Sequence, residues 1–229
     1  MSLAVTISLL KRLPLFAGLP ESELALLAAE SRVDHFEKEA VIFHQGDPCD
    51  RVWLLHQGQV KIVYHEADGR EVILEVISPG EAFGGATLLM PRHPATAQAM
   101  VEAETVSFPT EVYTQFLSDH PPVTLKLIRM LGLRLHTLMG LSILAGERVE
   151  RRLAHILIKL AERAGRPDPE GILITVPLSR QDLADMAGTT LETAIRLMSR
   201  FRQDELIKTR RGGYLVLTGE KQLRELAGQ

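Results

Sequence analysis

Cysteine occurs once in the chain, at position 49. A single thiol cannot form an intrachain disulfide, and it cannot supply a four-cysteine zinc or iron–sulfur site. No apolar run approaches the length of a membrane span, and the N-terminus has no signal-peptide pattern, so we expect a cytoplasmic protein without a membrane partner. The apolar content of 45% and the charged content of 24% fit a globular protein of one or two domains.

The sequence also has no recognisable catalytic set. We find no paired acid and base, no metal-ligand spacing, no nucleophile elbow and no glycine loop placed between a strand and a helix to hold phosphate. We therefore expect neither an enzyme nor a metal site.

Charge is distributed unevenly along the chain. Residues 1–140 include 11 basic and 17 acidic residues, a net charge of −6, whereas residues 141–229 include 15 and 12, a net charge of +3. A basic C-terminal part joined to an acidic N-terminal part favours a nucleic-acid module attached to a second module.

Residues 178–217 predict two short helices, a tight turn and a β-hairpin. Ser179 with Asp182 is a capping-box-like start, Gly188 supplies the turn, and Thr189 with Glu192 is a second capping box. The residues expected to face inward are Leu183, Ala184, Met186 and Ala187 in the first helix and Ile195, Leu197, Met198 and Phe201 in the second.

The opposite face of the second helix carries side chains that suit a DNA groove. They are Thr190, Glu192, Thr193, Arg196 and Arg200. Residues 209–214 then predict a basic hairpin tip, and the run 179–181 at a helix start suits phosphate. This pattern indicates a winged helix-turn-helix. The alternative is a helix pair that only packs, with solvated charges.

Residues 31–108 show the pattern of an antiparallel β-roll. Turn signals such as Gly46-Asp47-Pro48 and Asp68-Gly69 separate short apolar or alternating runs, which favours a roll over a parallel sheet. The runs lie at 40–43, 52–55, 60–64, 72–76, 96–101 and 105–108. Before Ala29 we expect two short helices, punctuated by Pro14 and Pro20.

Residues 123–144 predict a long helix with two apolar stripes. One stripe resembles a coiled-coil seam and comprises Ile128, Leu131, Leu135, Leu138 and Ser142; the other comprises Leu127, Met130, Leu133, Thr137 and Leu141. Two stripes favour two partners, namely the roll and the same helix of a second chain, so we expect a homodimer. Burial of the whole helix within one domain is the alternative.

The sequence between the long helix and the DNA module predicts four further elements. They are a hinge at 145–147, a helix at 149–164, a turn-rich link at 165–171 and a strand at 172–176. The inward residues of that helix are Leu153, Ile156, Leu157 and Leu160. We expect an effector domain at 1–120, a dimerisation helix with its hinge at 121–146, and a DNA-binding domain at 147–229.

The order of these parts resembles the Crp/Fnr family of bacterial transcription regulators over essentially the whole chain. The motifs that carry the resemblance are Gln45-Gly46-Asp47-Pro48, Trp53-Leu54-Leu55, Pro79-Gly80-Glu81-Ala82-Phe83-Gly84, the segment 178–184, and the segment 188–193 with Arg196. The resemblance implies an α+β fold with an N-terminal cyclic-nucleotide-binding-like jelly roll, a long dimerisation helix and a C-terminal winged helix-turn-helix. It also implies a homodimer on palindromic double-stranded DNA, with RNA polymerase as a further partner.

The resemblance assigns roles to individual residues of the DNA module. Glu192 and Arg196, with Thr193 beside them, would contact bases, since a carboxylate can accept from cytosine and an arginine can donate to guanine. The residues expected to contact phosphates are Ser179, Arg180, Gln181, Thr189, Thr190, Arg200, Arg210 and Arg211. Leu191 is apolar, as in the Fnr-like branch, and implies a half-site of the TTGA type. Ile195 stands where relatives have a small residue, which leaves the base read there open.

The signal sensed by the roll is less defined. The expected effector pocket comprises Phe83, Gly84, Gly85, Arg92, His93, Thr96, Leu135, Leu138 and Met139. The side chains with which the cyclic-AMP branch holds its ligand are replaced in this chain. The ribose position is Gly85, the phosphate position is His93-Pro94, and the adenine position is Leu138-Met139. These three departures argue against cyclic AMP, although a loop shift could bring Arg92 to a phosphate.

Other cofactors follow from the same comparison. The single cysteine excludes the iron–sulfur cluster of the oxygen-sensing branch. The segments 74–76 and 95–99 and the generally apolar inner face resemble the haem-type nitrogen-oxide regulators of the family, so haem stays open, with His35, His93 and His136 among the available axial ligands. A different small ligand, or none, is the alternative. The competing function is a small-molecule-sensing module whose helix pair docks a protein instead of DNA.

Overall fold

The computed structural model describes residues 3–85, 90–143 and 147–228, without the side chains of 3–5, 134 and 136–143. The chain divides into two compact units, Met1–Gly69 with Leu74–His136 and Arg70–Ile73 with Thr137–Gln229. The hinge predicted at 145–147 falls mostly outside the described residues. None of the helices in the described ranges has the length and apolarity to cross a membrane.

The described residues before position 110 form eight strands. They are β1 Arg32–Phe36, β2 Val41–Phe43, β3 Arg51–Gln57, β4 Val60–His65, β5 Glu71–Ile77, β6 Ala82–Phe83, β7 Thr96–Ala99 and β8 Ala103–Pro109. Two four-stranded sheets result, in the orders β1-β8-β3-β6 and β2-β7-β4-β5. β8 pairs antiparallel with β1 and β3, and β7 pairs antiparallel with β2 and β4. The expected antiparallel roll is confirmed.

Strand β3 is buried on both faces, which explains its continuous apolar run. Successive side chains of a strand point to opposite faces. Val52 and Leu54 therefore join a cluster with the helices, whereas Trp53 and Leu55 join an aromatic-rich cluster drawn from both sheets. β1 and β6 were not predicted, because β1 has no apolar run and β6 has only two residues.

Four α-helices and a short 3-10 helix accompany the roll. They are α1 Leu3–Arg12, the 3-10 helix Pro14–Phe16, α2 Glu21–Ala29, α3 Thr110–Asp119 and α4 Pro121–Ile143. The two early helices and the long helix are confirmed, while α3 was not predicted. Leu24 of α2, Tyr113 of α3 and Leu127 of α4 lie in one buried cluster with β3 and β8.

The second unit forms a small sheet with four further helices. Its elements are α5 Val149–Ala164, β9 Gly165–Asp168, β10 Gly171–Ile174, α6 Arg180–Ala187, α7 Leu191–Gln203, β11 Ile207–Thr209, β12 Leu215–Leu217 and α8 Glu220–Ala227. The sheet order is β11-β12-β10-β9. The prediction of a turn-rich link at 165–171 was wrong, because β9 pairs antiparallel with β10. Pro167 fits there because β9 is an edge strand, where a missing N–H is tolerated.

Candidate DNA-binding face and effector cavity

Helix α6 begins with the capping box that the sequence predicts. The Ser179 hydroxyl accepts from the Asp182 backbone N–H at 2.9 Å, and the Asp182 carboxylate accepts from the Ser179 N–H at 2.9 Å. Each side chain satisfies a backbone donor that the first turn leaves without a partner. The cap fixes the start of the first helix of the pair.

The turn between α6 and α7 is built on Gly188, which adopts φ +58°. The Thr189 backbone N–H donates to the Ala184 carbonyl at 3.0 Å, so Thr189 still belongs to the C-terminal cap of α6. The cap of α7 is Thr190, whose hydroxyl accepts from the Thr193 N–H at 3.3 Å. The capping box expected at Thr189 was therefore wrong by one residue.

Arg152 of α5 stabilises this turn through hydrogen bonds to its carbonyls, a role that the sequence did not reveal. Its guanidinium Nε donates to the Ala187 carbonyl at 2.8 Å, and a terminal nitrogen donates to the Gly188 carbonyl at 3.3 Å. Carbonyls at a helix end have no partner within the helix, so the partly buried guanidinium of Arg152 is well placed to satisfy them. The bond partners are 35 residues apart, and no local pattern indicates the pairing.

Helix α7 packs through a narrower face than expected. Ala194, Met198 and Phe201 are buried, one helical turn apart in succession, whereas Ile195 is 45% exposed. The expectation that Ile195 faces inward was wrong, because the small Ala194 takes the buried position beside it. Leu197, like Met186 of α6, is only half-buried.

The outer face of α7 presents Glu192 and Arg196 to solvent, one helical turn apart. Leu191, at 41% exposed, and Ile195 form a parallel apolar row on the same exposed side. Thr193 is half-buried, with its hydroxyl 3.1 Å from that of Thr190. A charged pair and an apolar pair of side chains thus lie side by side on the exposed side of one helix.

The hairpin β11–β12 forms the expected wing. Its tip contains Gly212 and Gly213 at φ +84° and +86°, and the Gly213 carbonyl accepts from the Leu178 N–H at 3.0 Å. A side chain at Gly213 would approach the Leu178 backbone at 3.2 Å in a backbone conformation that favours glycine. The wing is therefore tied to the chain just before α6. Arg211 at its tip is exposed.

Several side chains expected at phosphates already have partners in the chain. Arg210 forms ion pairs with Asp168 at 2.9 Å and Glu170 at 3.3 Å, both beside the β9–β10 turn. Arg200 pairs with Glu150 at 3.1 Å. Lys208 also pairs with Glu170, and hydrogen bonds from Lys208 and then Arg210 lower the pKa of Glu170.

Arg180 and Gln181 lie in the first turn of α6. A terminal nitrogen of Arg180 donates to the Thr209 hydroxyl at 3.4 Å, and burial, then the charge of Arg202, lowers its pKa. The Gln181 amide donates to Asp185 at 2.6 Å. Arg180 thus contacts β11 of the wing, whereas Gln181 is exposed and bonded within α6.

The first unit contains a cavity of about 340 Å³. Its described lining comprises Phe43, Val52, Ile62, Ala82, Phe83, Gly84, Gly85, His93, Pro94, Ala95, Tyr113, Leu127 and Leu131. Four of the residues expected in an effector pocket, Phe83, Gly84, Gly85 and His93, are among them.

The other predicted pocket residues lie elsewhere or outside the described side chains. Arg92 is not in the lining, and its guanidinium donates to the Gly46 carbonyl at 2.7 Å. Thr96 is buried and its hydroxyl accepts from the Gln45 N–H at 2.9 Å. Leu135 is 59% exposed. The side chains of Leu138 and Met139 are not described.

Two buried polar atoms of the cavity lining have no hydrogen-bond partner within the described chain, His93 Nε2 and the Tyr113 hydroxyl. His93 is 2% exposed and stacks on Phe43 with ring centroids 3.7 Å apart. Burial lowers the pKa of His93, opposed by the charges of Asp47 and Asp50, and burial raises the pKa of Tyr113 well above its usual range. Sequence reasoning missed Tyr113, which lies in the unpredicted helix α3.

Family models match both halves of the chain. A cyclic nucleotide-binding domain matches residues 33–120, and a Crp-like helix-turn-helix domain matches residues 151–226. Together they cover well over half of the chain. The chain belongs to the Crp/Fnr family of transcription regulators. The predicted family and fold class are confirmed.

Individual relatives agree with the Crp/Fnr assignment. The global nitrogen regulator of Synechocystis is 32% identical over 179 residues, covering 76% of this chain and 80% of the relative. The CRP-like cAMP-activated global transcriptional regulator of Mycobacterium tuberculosis is 27% identical over 218 residues, covering 94% and 97%. These relatives are transcription regulators and not enzymes.

A solved Crp/Fnr-type structure supports the fold. FixK2 from Bradyrhizobium japonicum superposes with a TM-score of 0.76 at 23% identity, covering 86% of this chain and 96% of that one.

The coiled-coil-like seam predicted for the long helix lies partly within the described residues. Ile128, Leu131 and Leu135 of α4 are 57%, 48% and 59% exposed in the single chain. The side chains of Leu138 and Ser142, which continue the seam, are not described. An exposed apolar row on a long helix marks a surface that another molecule can cover.

Proposed function

We propose that this DNA-binding transcription regulator of the Crp/Fnr family binds a palindromic site as a homodimer, under control of a ligand in the β-roll. The observation that carries the proposal is the exposed Glu192–Arg196 pair on α7, held between a capped helix start and a basic wing. We place the protein in the cytoplasm, where its DNA and RNA polymerase are found.

Glu192 and Arg196 are the proposed base readers, with Thr193 beside them. Both charged side chains are exposed, and they leave the helix one turn apart, so they reach successive positions along a groove. An exposed carboxylate in the first turn of a helix is also favoured by the helix dipole.

The proposed phosphate contacts surround these readers. They are Ser179, Arg180, Gln181, Thr189, Thr190, Arg200, Arg210 and Arg211, from the start of α6, the turn, α7 and the wing. Contacts of this kind position a protein on the duplex without reading sequence. Arg200 and Arg210 would exchange their present carboxylate partners for phosphate.

Homodimerisation through α4 is the second half of the proposal. Ile128, Leu131 and Leu135 supply its described apolar seam, and two-fold symmetry would present two α7 helices to half-sites about one DNA turn apart. The proposed domain limits are 1–120, 121–146 and 147–229.

The test begins with in vitro selection of duplexes from a random pool by the full chain, followed by titration at fixed ionic strength. Arg196→Ala should lose about 1–3 kcal/mol of discrimination at one base pair of each half-site. Arg12→Ala, which removes an exposed arginine of α1, is the matched control and should leave discrimination unchanged. Equal ratios of selected to scrambled affinity in Arg196→Ala and the parent would disprove the base-reading assignment. Selection of no preferred sequence would favour the protein-docking alternative.

A further inference from the structure

The cavity of the first unit combines an apolar lining with two polar atoms that need a partner. Apart from His93 and Tyr113, every described lining residue is apolar or glycine. Buried polar groups in proteins are almost always hydrogen-bonded, to the chain, to water or to a ligand. Two unpaired groups in the lining of one cavity therefore mark a place where a further molecule completes the structure.

We propose that this cavity binds an uncharged, mostly apolar small molecule with at least one hydrogen-bonding oxygen, and that His93 and Tyr113 each offer it a hydrogen-bonding group. That such a molecule acts as the effector rests on the function proposed above, whereas its binding does not. The cavity volume of about 340 Å³ lies at the lower end of the range for small-molecule pockets.

The protonation of the two groups favours a neutral ligand. Burial keeps the Tyr113 hydroxyl protonated by raising its pKa, so this group donates a hydrogen bond. Burial also lowers the pKa of His93, which keeps the imidazole uncharged and leaves Nε2 as a single donor or acceptor according to the tautomer. A hydroxyl on the ligand suits either tautomer, because it can both donate and accept.

The absence of a cation from the described lining argues against a phosphate ligand. No lysine or arginine is among the lining residues that the structure describes. The guanidinium of Arg92 is bonded to the Gly46 carbonyl at 2.7 Å. A phosphate taken into an apolar cavity needs a cation and several donors to offset its desolvation.

Aromatic rings favour a planar or ring-bearing ligand. His93 stacks on Phe43 with an interplanar angle of 14°, and Phe43 stacks on Phe83 with ring centroids 6.2 Å apart. These rings give the cavity an apolar, polarisable wall that suits an aromatic ligand.

The experiment compares two probes that differ only in a hydroxyl, toluene and 4-methylphenol. Their dissociation constants are measured with the full chain by ligand-detected NMR, for the parent and for Tyr113→Phe and His93→Phe. We expect 4-methylphenol to bind the parent, and its preference over toluene to fall roughly two- to tenfold in each variant, as expected for the loss of one neutral hydrogen bond. Tyr64→Phe deletes an exposed hydroxyl of β4 outside the lining and should keep the parent ratio.

Thermal unfolding measurements distinguish a loss of ligand recognition from a loss of folding stability. Tyr113→Phe removes an unpaired buried hydroxyl, so the ligand-free variant should melt at or above the parent temperature while losing its preference for 4-methylphenol. An unchanged preference in both variants, or no binding of 4-methylphenol to the parent, would overturn the proposal. Displacement of the probe by cyclic AMP or by hemin would overturn the ligand class. Selection of a specific DNA site alongside either of those results would leave the DNA-binding proposal standing.

Discussion

At the residue scale, the exposed side chain of Ile195 would add an apolar contact to the proposed base readers of α7. It is 45% exposed and lies next to Arg196 on the face proposed to enter the groove. An exposed aliphatic side chain in a major groove makes favourable contact with the thymine methyl group. Ile195 should therefore favour thymine at the base pair beside the one read by Arg196.

The thymine contact can be tested without changing any hydrogen bond. Replacing single thymines of the selected site by deoxyuridine removes only a methyl group, and one such replacement should weaken binding of the parent by about 1 kcal/mol. In Ile195→Ala the same replacement should have no effect. Equal weakening in the parent and the variant would assign the methyl contact to another side chain, with Leu191 as the next candidate.

Burial of His93 makes stability dependent on pH. Because burial lowers its folded pKa below the unfolded value of 6.5, the unfolded chain binds a proton before the folded chain does. The free energy of unfolding should therefore decrease as the pH falls below 6.5 and level off below the folded pKa. His155, whose pKa is also lowered chiefly by burial, contributes in the same direction.

The His93 contribution can be separated by substitution. His93→Phe keeps a ring on Phe43 but cannot bind the proton, so it should lose less stability than the parent between about pH 7 and about pH 5. Urea denaturation at a series of pH values measures the difference. Parallel profiles for variant and parent would show that His93 does not titrate with unfolding.

At the scale of elements, the helix-turn-helix depends on a residue outside it. Arg152 of α5 donates to the carbonyls of Ala187 and Gly188. Arg152→Met keeps much of the side-chain length but removes these hydrogen bonds, so unfolding should require about 0.5–1.5 kcal/mol less free energy. Chemical denaturation checks this value. Arg148→Met, just before α5, is a control that should change stability less.

The sequence predicted elements well where one short-range pattern determined them. The Ser179–Asp182 box, the Gly188 turn and the runs of β3 and β4 depend on neighbouring residues and were confirmed. The N-cap of α7 was misplaced by one residue because the cap of α6 extends to Thr189, which only the tertiary bonds reveal. β9 was missed because its pairing with β10, rather than its composition, makes it a strand.

The same distinction between local and long-range determinants applies to the candidate sites. Polar side chains on the outer face of α7 follow from helical periodicity, so Glu192 and Arg196 are exposed as expected. The cavity lining could not be derived in this way, since Phe43, Tyr113 and Leu127 come from three elements far apart in sequence. The ion pair between Arg210 and Asp168 likewise joins two turns that no local pattern connects.

At the scale of the whole molecule, the seam of α4 should determine the oligomeric state. Leu135→Glu places a charge on the proposed dimer seam, so it should give a monomer whose affinity for a palindromic duplex falls to that of a single half-site. Sedimentation velocity and DNA titration measure both effects. Leu26→Glu introduces the same charge at a leucine of α2 that is 75% exposed and should remain dimeric. A dimeric Leu135→Glu variant would place the interface elsewhere.

The carboxylates beside the wing should affect how the proposed DNA binding responds to ionic strength. If a DNA phosphate takes the guanidinium of Arg210, as proposed, Asp168 loses its ion-pair partner and can attract a cation from solution, whereas Glu170 keeps Lys208. This uptake cancels part of the counterion release that drives association with DNA. The logarithm of the affinity should consequently fall less steeply with the logarithm of salt concentration than the number of basic residues on the face suggests. Such a wing would suit a regulator that must hold its sites while the ionic composition of its surroundings varies.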